Sequence, residues 1–246
     1  METPITVFYT YGLRGDLALL PRLFSFIRQL RAHFSAEPVK LCEDDPAPAI
    51  SRILLLDLGE SCSPDVWHCA VTGGRSALVA LDGMGYDAAN VSGLAAPDLR
   101  EKLGENVRLA LVDEEHDWTW EGVRVAVSAP YPPEALTPTP LPEGEGLTAI
   151  SQAFLPLPLR ERGSEGEGVT ILLTPADATY IDADGLHLRR VQSGQIGMAQ
   201  IAPRPLILLG QDVFDLPAAA QPDPTIAGIV DFILSEARYT QKRRGG

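Results

Sequence analysis

The chain is short of cysteine, aromatic residues and long apolar runs, and each shortage excludes something. Its three cysteines are Cys42, Cys62 and Cys69. So low and odd a number gives no indication of a disulfide framework and is typical of a reducing compartment. No run approaches the roughly 18 apolar residues of a membrane span, and the first residues lack the basic and apolar regions of a signal peptide. The expected location is therefore the cytoplasm.

Positive charge is also scarce, since 20 Lys and Arg stand against 33 Asp and Glu, for a net charge of −13. Such a surface repels phosphate backbones, which argues against nucleic-acid binding. Aromatic residues make up 7 % of the chain, so aliphatic side chains must fill most of the core that 246 residues with 45 % apolar content allow. The one basic cluster, Lys242-Arg243-Arg244, is interpreted as a solvated tail.

The first half of the chain alternates strands with helices. Strands are predicted at residues 5–10, 53–58 and 86–91, and the nearly continuous apolar run ILLLDL indicates a strand buried on both faces. Apolar residues spaced by three and four predict helices at 17–33 and 75–84, with a weaker one from about residue 65. The β-α-β-α-β order implies parallel pairing with right-handed crossovers. The expected fold class is α/β, a layered sandwich of mixed β-sheets flanked by helices.

The second half is richer in strands. They are predicted at 107–112, 123–127, 169–173, 179–182, 186–191, 200–202 and 206–209, with Trp118 and Trp120 in a hairpin turn. The segment Asp182-Ala-Asp-Gly185 is interpreted as a second hairpin turn, because it lacks the distal Glu of a calcium loop. A last helix is predicted at 224–239, capped by Asp223.

Residues 137–168 differ in composition from the rest of the chain. Pro, Gly and Glu dominate this segment and no hydrophobic period is visible, so it cannot bury enough apolar surface to offset its ordering entropy. We interpret it as a flexible insertion in a single domain built from residues 1–136 and 169–246, whose deletion should leave the fold intact. The alternative is a proline-rich ligand for a partner domain.

Three segments, residues 5–31, 53–61 and 77–93, resemble the N-terminal catalytic domain of the bacterial 5′-nucleotidase branch of the calcineurin-like metallophosphoesterase superfamily. The phrase GMGYDA is the most specific part, and SGQIG at residues 193–197 resembles a later turn of that family. The resemblance implies a metallophosphoesterase-like fold whose strand ends hold two divalent metal ions.

The metal motifs of the family are degenerate in this chain. Where the resemblance implies Asp-x-His, the chain has Gly12 and Arg14; for Gly-Asp it has Gly59-Glu60. For Gly-Asn-His-Glu it has residues 92–95, SGLA, and the later Gly-His-x-His has no counterpart. A permanent cation at position 14 would repel a metal. None of the histidines falls at a matching strand end; they are His33, His68, His116 and His187.

No catalytic or metal-ligating residue is therefore predicted, and no cofactor is expected. The strand ends are interpreted as a vestigial cleft formed by Gly12, Arg14, Asp57, Glu60, Gly93 and Leu94. The leading hypothesis is a pseudoenzyme that acts as a binding or scaffold protein, with an unknown protein or a small anionic ligand as its partner. Arg14 is the candidate anion contact.

Two other hypotheses stay open. The chain could be an active, nucleotidase-like phosphoester hydrolase with a reduced or relocated metal site built from Asp57, Glu60, Cys62 and His68. It could also be a subunit of a larger complex, with the insertion or the Arg14 cleft as the contact surface. Metal in the purified protein would favour the first, and co-purification of other subunits would favour the second.

The remaining polar clusters give weaker indications of a functional site. A metal site at Cys62, His68 and Cys69 would need a fourth ligand and a spacing such as CxxC, so buried or incidental cysteines are the favoured interpretation. A Cys–His nucleophile pair there lacks a third, orienting group. The acidic run around His116 is interpreted as a solvated turn.

Overall fold

The structure, a computed structural model, describes residues 3–36, 52–94, 103, 107–128 and 168–244. Residues 1–128 and 168–246 form one compact unit. Residues 129–167 lie outside the described part of the chain and contain nearly all of the predicted insertion at 137–168. The proposed domain boundaries therefore stay a prediction.

Apart from β5, strands and helices occur in the order that the sequence predicts. The strands are β1 (Ile5–Thr10), β2 (Arg52–Asp57), β3 (Ala88–Asn90), β4 (Ala110–Val112), β5 (Trp118–Trp120), β6 (Val123–Ala126), β7 (Val169–Ala176), β8 (Tyr180–Ile181), β9 (Leu186–Arg189), β10 (Gln195–Pro203) and β11 (Leu206–Asp215). The described helices are α1 (Leu20–Ala36), α2 (Trp67–Thr72), α3 (Arg75–Gly83) and α4 (Pro224–Arg244).

Two mixed sheets pack face to face in the chain's main unit. The first has the order β11-β10-β1-β2-β3-β4, and the second has the order β5-β6-β7-β9-β8. Strands β1 to β4 pair in parallel, with α1 between β1 and β2 and with α2 and α3 between β2 and β3, whereas β10 and β11 run antiparallel at one side of the first sheet. The parallel pairing places the carboxyl ends of β1, β2 and β3 at one edge.

The core has two layers, separated by the first sheet. Successive side chains of a strand point to opposite faces, so Phe8 and Leu55 pack with the helices while Val7 and Leu54 pack with the second sheet. The helix-facing layer includes Leu23 of α1 and residues of α3 and α4. Strands β1 and β2 are thus buried on both faces, as the ILLLDL run predicts. Each fully buried aliphatic side chain contributes about 1.5–3 kcal/mol relative to an exposed one.

Local signals place the ends of two helices correctly. The Asp223 carboxylate accepts hydrogen bonds from the backbone N–H groups of Thr225, at 2.9 Å, and Ile226, at 3.2 Å, which is the predicted cap of α4. Gly85 follows α3 with a φ of 75°, a left-handed conformation that suits glycine. None of the helices in the described ranges is long and apolar enough to cross a membrane.

The prediction for the two tryptophans is wrong. Trp118 and Trp120 lie in a strand, β5, that pairs antiparallel with β6, and the turn between these strands is formed by Glu121 and Gly122. Both turn residues have positive φ values, 44° and 81°. A two-residue loop of this kind needs left-handed backbone, which the flanking β-branched and aromatic residues adopt poorly.

Candidate functional site

The ends of β1 and β2 are joined by backbone hydrogen bonds that continue past the strands. The N–H groups of Gly12, Arg14 and Gly15 donate to the carbonyl oxygens of Gly59, Glu60 and Ser61, at 3.0, 2.8 and 2.8 Å. The loops after the two strands therefore run alongside each other, with Leu13 as one extra residue in the first loop. This places the positions that the resemblance matches to two metal motifs directly beside one another.

The backbone of these loops is left-handed at successive positions. The φ values are 66° at Gly12, 51° at Arg14, 83° at Gly15, 112° at Gly59 and 53° at Glu60. For residues with a Cβ atom this conformation costs roughly 1–2 kcal/mol. Arg14 and Glu60 hold it because the inter-loop hydrogen bonds fix the surrounding backbone. Backbone strain of this kind clusters at functional sites.

Arg14 and Glu60 form an ion pair with each other. The Arg14 Nη2 atom lies 3.1 Å from Glu60 Oε2, and the Tyr11 hydroxyl donates to Glu60 Oε1 at 2.6 Å. The hydrogen bond from Tyr11, followed by the Arg14 guanidinium, holds the pKa of Glu60 below its usual range. The Arg190 guanidinium lies 5.5 Å from the centre of the Tyr11 ring. Glu60 is therefore an ionised, engaged carboxylate.

A cleft of about 380 Å³ opens beside this pair. Asn90, at the end of β3, forms one wall, and its amide donates to the Leu58 carbonyl at 3.2 Å and to the Leu173 carbonyl at 3.4 Å. Asn90 thus ties β3 to the neighbouring strand and to β7 of the second sheet. The cleft is lined by Arg14, Glu60, Cys62, Ser63, Pro64, Asp65, Asn90, Gly93 and Leu94.

The structure brings together most of the predicted cleft. Arg14, Glu60, Gly93 and Leu94 line it. Gly12 does not line it but bonds to the loop that carries Glu60. A Cβ atom at Gly12 or at Gly93 would have no neighbour within 4 Å, so both positions have open space where the family carries ligands.

Asp57 belongs to the core and does not line the cleft. It is fully buried; its Oδ1 atom accepts from Thr10 Oγ1 at 3.3 Å, and its Oδ2 atom accepts from the Gly59 N–H at 3.1 Å and from the Ser61 hydroxyl. Burial raises the pKa of Asp57 to about 7, although the three hydrogen bonds act in the opposite direction. Its role is to shape the turn after β2.

The side chains present do not fit two divalent metal ions. Hard cations need several carboxylate, amide or imidazole ligands. Among the described residues that line the cleft, the carboxylates are Glu60 and the exposed Asp65, and Glu60 is already held by Tyr11 and by a guanidinium. Gly93 and Leu94 offer no ligand atoms.

The interpretation of the cysteines needs correction, because Cys62 and Cys69 form a disulfide with their Cα atoms 5.7 Å apart. The loop between β2 and α2 turns back on itself and brings the pair together, which a count of cysteines does not reveal. A sulfur in a disulfide is not a thiolate nucleophile, so the Cys–His pair is not available in this state. Cys42 lies outside the described residues.

His68 is buried, with both ring nitrogens engaged. Nδ1 lies 2.9 Å from Ser76 Oγ and Nε2 lies 3.0 Å from the Gly15 carbonyl oxygen. The other histidines lie away from the cleft. His33 is on an exposed turn of α1, His116 bonds to Asp113 in the acidic turn, and His187 lies on β9.

No protein-family model matches the sequence, and no curated protein matches it either. Among solved structures the chain is similar to the calcineurin-like phosphoesterase YfkN from Bacillus subtilis, with 10 % identity, a TM-score of 0.49, and coverage of 98 % of this chain and 100 % of that one. It is also similar to the sulfate thiohydrolase SoxB from Thermus thermophilus, in complex with glycerol. For SoxB the identity is 13 % and the TM-score is 0.55. The alignment covers 96 % of this chain and 61 % of the SoxB chain.

Identity at this level shows the fold alone. The chain has mixed sheets flanked by helices, in a fold similar to that of SoxB, and the predicted α/β class is confirmed. The chain spans about 61 % of the SoxB chain. What those proteins act on is not transferred to this chain by the shared fold.

Three residues of the site were not predicted. Tyr11 and Asn90 each lie next to a position that the motif comparison singled out, so a search for polar side chains around those positions would have found them. Arg190 reaches Tyr11 from the end of β9. No sequence signal connects Arg190 with Tyr11, because their proximity depends on how the second sheet packs.

Proposed function

We propose that this chain is a non-catalytic protein of metallophosphoesterase-like fold that uses its strand-end cleft for binding instead of metal-dependent hydrolysis. The observation that carries the proposal is the ion pair between Arg14 and Glu60, 3.1 Å apart at the matched metal positions. The guanidinium offsets the charge of the carboxylate there and repels a divalent cation. Gly12, Gly93 and Leu94 add no ligand atoms.

The cleft suits a small ligand with an anionic group, or an acidic side chain of a partner protein. Arg14 is well exposed, with 72 % of its side-chain surface accessible, and Arg190 is also exposed on the other side of Tyr11. A guanidinium can hold a carboxylate or phosphate group through two parallel hydrogen bonds. Glu60 competes for Arg14, so the affinity for an anion depends on the charge of Glu60.

A hydrolase with a relocated site has less support. Of the four residues it would use, Asp57 is buried and hydrogen-bonded, Cys62 is in a disulfide, and both ring nitrogens of His68 are engaged. Of the four, Glu60 and the disulfide-bonded Cys62 line the cleft, so Glu60 is the one free functional group there. One carboxylate supplies neither the second acid–base group nor the ligand set that metal-assisted hydrolysis needs.

The proposal is tested by assaying hydrolysis of p-nitrophenyl phosphate and of a 5′-nucleotide with added Mn²⁺. We expect no turnover above background and no difference between the wild type and Glu60→Gln. Turnover that requires Mn²⁺ and is lost in Glu60→Gln would overturn the proposal.

Binding is tested by calorimetric titration with inorganic phosphate. We expect Glu60→Gln to bind more tightly than the wild type, because Arg14 is released, and Arg14→Ala to bind more weakly. Equal affinities in the three proteins would remove Arg14 as the anion contact. Arg22→Ala, which alters an arginine bonded to backbone carbonyls elsewhere, is the matched control and should leave phosphate affinity unchanged.

A further inference from the structure

Three side chains that can ligate a metal converge at the rim of the cleft. Cys62 lies on the loop after β2, and His68 and Cys69 lie on α2. One ligand atom from each lies within 4.8 Å of the other two. None of the three belongs to the positions that the family resemblance matches to metals, although Cys62 also lines the cleft.

The hydrogen bonds of His68 prepare one ring nitrogen for a metal. The Gly15 carbonyl oxygen, 3.0 Å from Nε2, can only accept, so Nε2 carries the proton of the neutral ring. Nδ1 therefore has a free lone pair, to which the Ser76 hydroxyl donates at 2.9 Å. Metal-bound imidazoles commonly donate their remaining N–H to a backbone carbonyl in this way, which fixes both tautomer and ring orientation.

The sulfur atoms are arranged around the same point. Ser76 Oγ, which contacts His68 Nδ1, also lies 3.6 Å from Cys62 Sγ. A Cβ atom built on Gly15 would lie 2.7 Å from Cys69 Sγ and 3.2 Å from the Cε1 atom of His68. Cys62 Sγ thus lies close to the hydroxyl that occupies Nδ1, and Cys69 Sγ lies on the Cε1 side of the same imidazole ring.

We propose that Cys62, His68 and Cys69 form a thiol-dependent Zn²⁺ site that exists only after the disulfide is reduced. A dithiol reductant gives two electrons and two protons to the two sulfurs and becomes a disulfide itself. Zn²⁺ then displaces the two thiol protons and the Ser76 hydroxyl from Nδ1. Two thiolates and one imidazole nitrogen are three ligands of a tetrahedral site, and water takes the fourth position.

The geometry allows this exchange with small movements. Zn–S bonds of about 2.3 Å and a Zn–N bond of about 2.0 Å put the ligand atoms roughly 3.5–3.8 Å apart. The ligand atoms already lie within 4.8 Å, and the Cα atoms of the two cysteines are 5.7 Å apart. Rotation of the two cysteine side chains after reduction can therefore open room for the ion without moving the helix.

A reductant can reach the disulfide from the cleft. Cys62 lines the cleft and is partly exposed, whereas Cys69 is 3 % exposed. A thiolate entering from solvent therefore attacks Cys62 Sγ, and Cys69 leaves as the thiolate. The site goes beyond the proposed function, because it uses neither Arg14 nor Glu60.

The test uses Co²⁺ as an optical probe on the full chain carrying Cys42→Ser, which removes the third cysteine. One sample is kept oxidised, and the other is reduced with dithiothreitol and freed of reductant without air. We expect the reduced sample to bind one Co²⁺ with thiolate charge-transfer bands and tetrahedral d–d bands, and one equivalent of Zn²⁺ to abolish them. The oxidised sample should show neither band. Equal spectra in the two samples, or no binding after reduction, would overturn the proposal.

Ligand variants separate this site from adventitious thiol binding. Reduced Cys62→Ser should lose about half of the charge-transfer intensity, and His68→Gln should keep it while the affinity falls about tenfold or more. Asp65→Asn, beside the site but not a ligand, should leave the spectrum unchanged. An unaltered spectrum in Cys62→Ser would contradict the assignment. Comparing redox states of one protein needs no ligand substitution, so a poorly folded variant cannot obscure the result.

Discussion

Arg14 and Glu60 are paired twice, once through their side chains and once through their backbones. The guanidinium lies 3.1 Å from the carboxylate, and the Arg14 N–H donates to the Glu60 carbonyl at 2.8 Å. Both residues have left-handed φ values, 51° and 53°. The two loops thus keep a costly backbone shape at the place where the related motifs would bind metal, and an ion pair stands there instead.

The first prediction concerns the strain at position 14. Arg14→Gly should be more stable than Arg14→Ala by about 1 kcal/mol, because glycine adopts a positive φ without the Cβ clash. Both variants lose the exposed ion pair, which itself is worth only about 0–1 kcal/mol. The difference between their free energies of unfolding therefore measures the cost of the left-handed backbone at position 14. Urea-induced unfolding of the two variants measures it.

Arg28, on an ordinary turn of α1 and also in an ion pair, is the matched control. There Arg28→Gly should be less stable than Arg28→Ala by about 1 kcal/mol, since glycine weakens a helix interior. If the order at position 14 is the same as at position 28, the left-handed backbone of Arg14 does not persist in solution.

The second prediction concerns the buried carboxyl of Asp57. Its pKa rises from 3.8 to about 7 in the folded protein because it is fully buried. Between these values the unfolded chain has released the proton that the folded chain still holds, so stability is fully present below pH 3.8 and falls as the pH rises to about 7. Asp57→Asn stays neutral, so its free energy of unfolding relative to that of the wild type should increase by about 4 kcal/mol across this range.

Unfolding by urea at several pH values measures this difference. Asp117→Asn is the control: Asp117 is exposed, and its hydrogen bond to Arg124 lowers its pKa. The stability that Asp117 contributes is present above its ordinary pKa and is lost only at lower pH, so this variant should show a flat difference between pH 4 and pH 7. A flat profile for Asp57→Asn as well would mean that Asp57 is ionised in the folded protein.

The third prediction concerns a close approach between strands β10 and β1. A Cβ atom on Gly197 would lie 2.1 Å from the Tyr9 ring, which is buried. Gly197→Ala should therefore lower the free energy of unfolding by about 1–3 kcal/mol, the usual cost of overpacking a core. Gly210→Ala on β11 meets only the flexible end of Gln200, at 3.6 Å, and should cost much less.

Adding Tyr9→Leu to Gly197→Ala should recover part of the loss, because it removes the atoms that clash. The loss and the recovery are both read from thermal and urea unfolding. Equal stabilities of Gly197→Ala and Gly210→Ala would show that the Tyr9 ring moves aside without cost.

The order of strands and helices was predictable because it depends on local pattern. The apolar run of β2, the cap at Asp223 and the glycine after α3 each act within a few residues. The lengths of the strands were less predictable. Strand β10 was expected at 200–202 but covers Gln195–Pro203, since small residues such as Gly197 give no strand signal and are retained by packing against Tyr9.

The candidate site also has a part that was predictable from local motifs and a part that was not. Arg14, Glu60 and Leu94 were found because they stand at fixed places in motifs that follow strands. The disulfide was not found, because it depends on how the loop between β2 and α2 turns back on itself. The contact between Tyr11 and Arg190 was not found either, because it joins distant segments that only tertiary packing brings together. Asp57 was assigned to the cleft because it ends β2, but strand-end position does not reveal which way a side chain points.

The last prediction tests whether these loops still have the geometry of a metal site. Gly12→Asp, Arg14→His and Glu60→Asp together would place two carboxylates and an imidazole on adjacent loops and remove the repelling cation. Position 12 has open space, and its φ of 66° is one that Asp tolerates better than most residues. We expect this triple variant to bind one Mn²⁺, measured by calorimetry, whereas the wild type should not bind it.

The same variant with Arg14 retained is the control and should bind Mn²⁺ at least tenfold more weakly, because a guanidinium a few ångströms from the ion opposes binding even in a solvated cleft. Phosphatase activity is not expected, since Gly93 and Leu94 still supply no ligands for a second ion. If the triple variant folds and binds no Mn²⁺, positions 12, 14 and 60 are not counterparts of the metal motifs, and the cleft has to be explained as a binding site of independent origin. If it binds, the loss of metal in this chain is due to a few side chains on a backbone that still has the required shape.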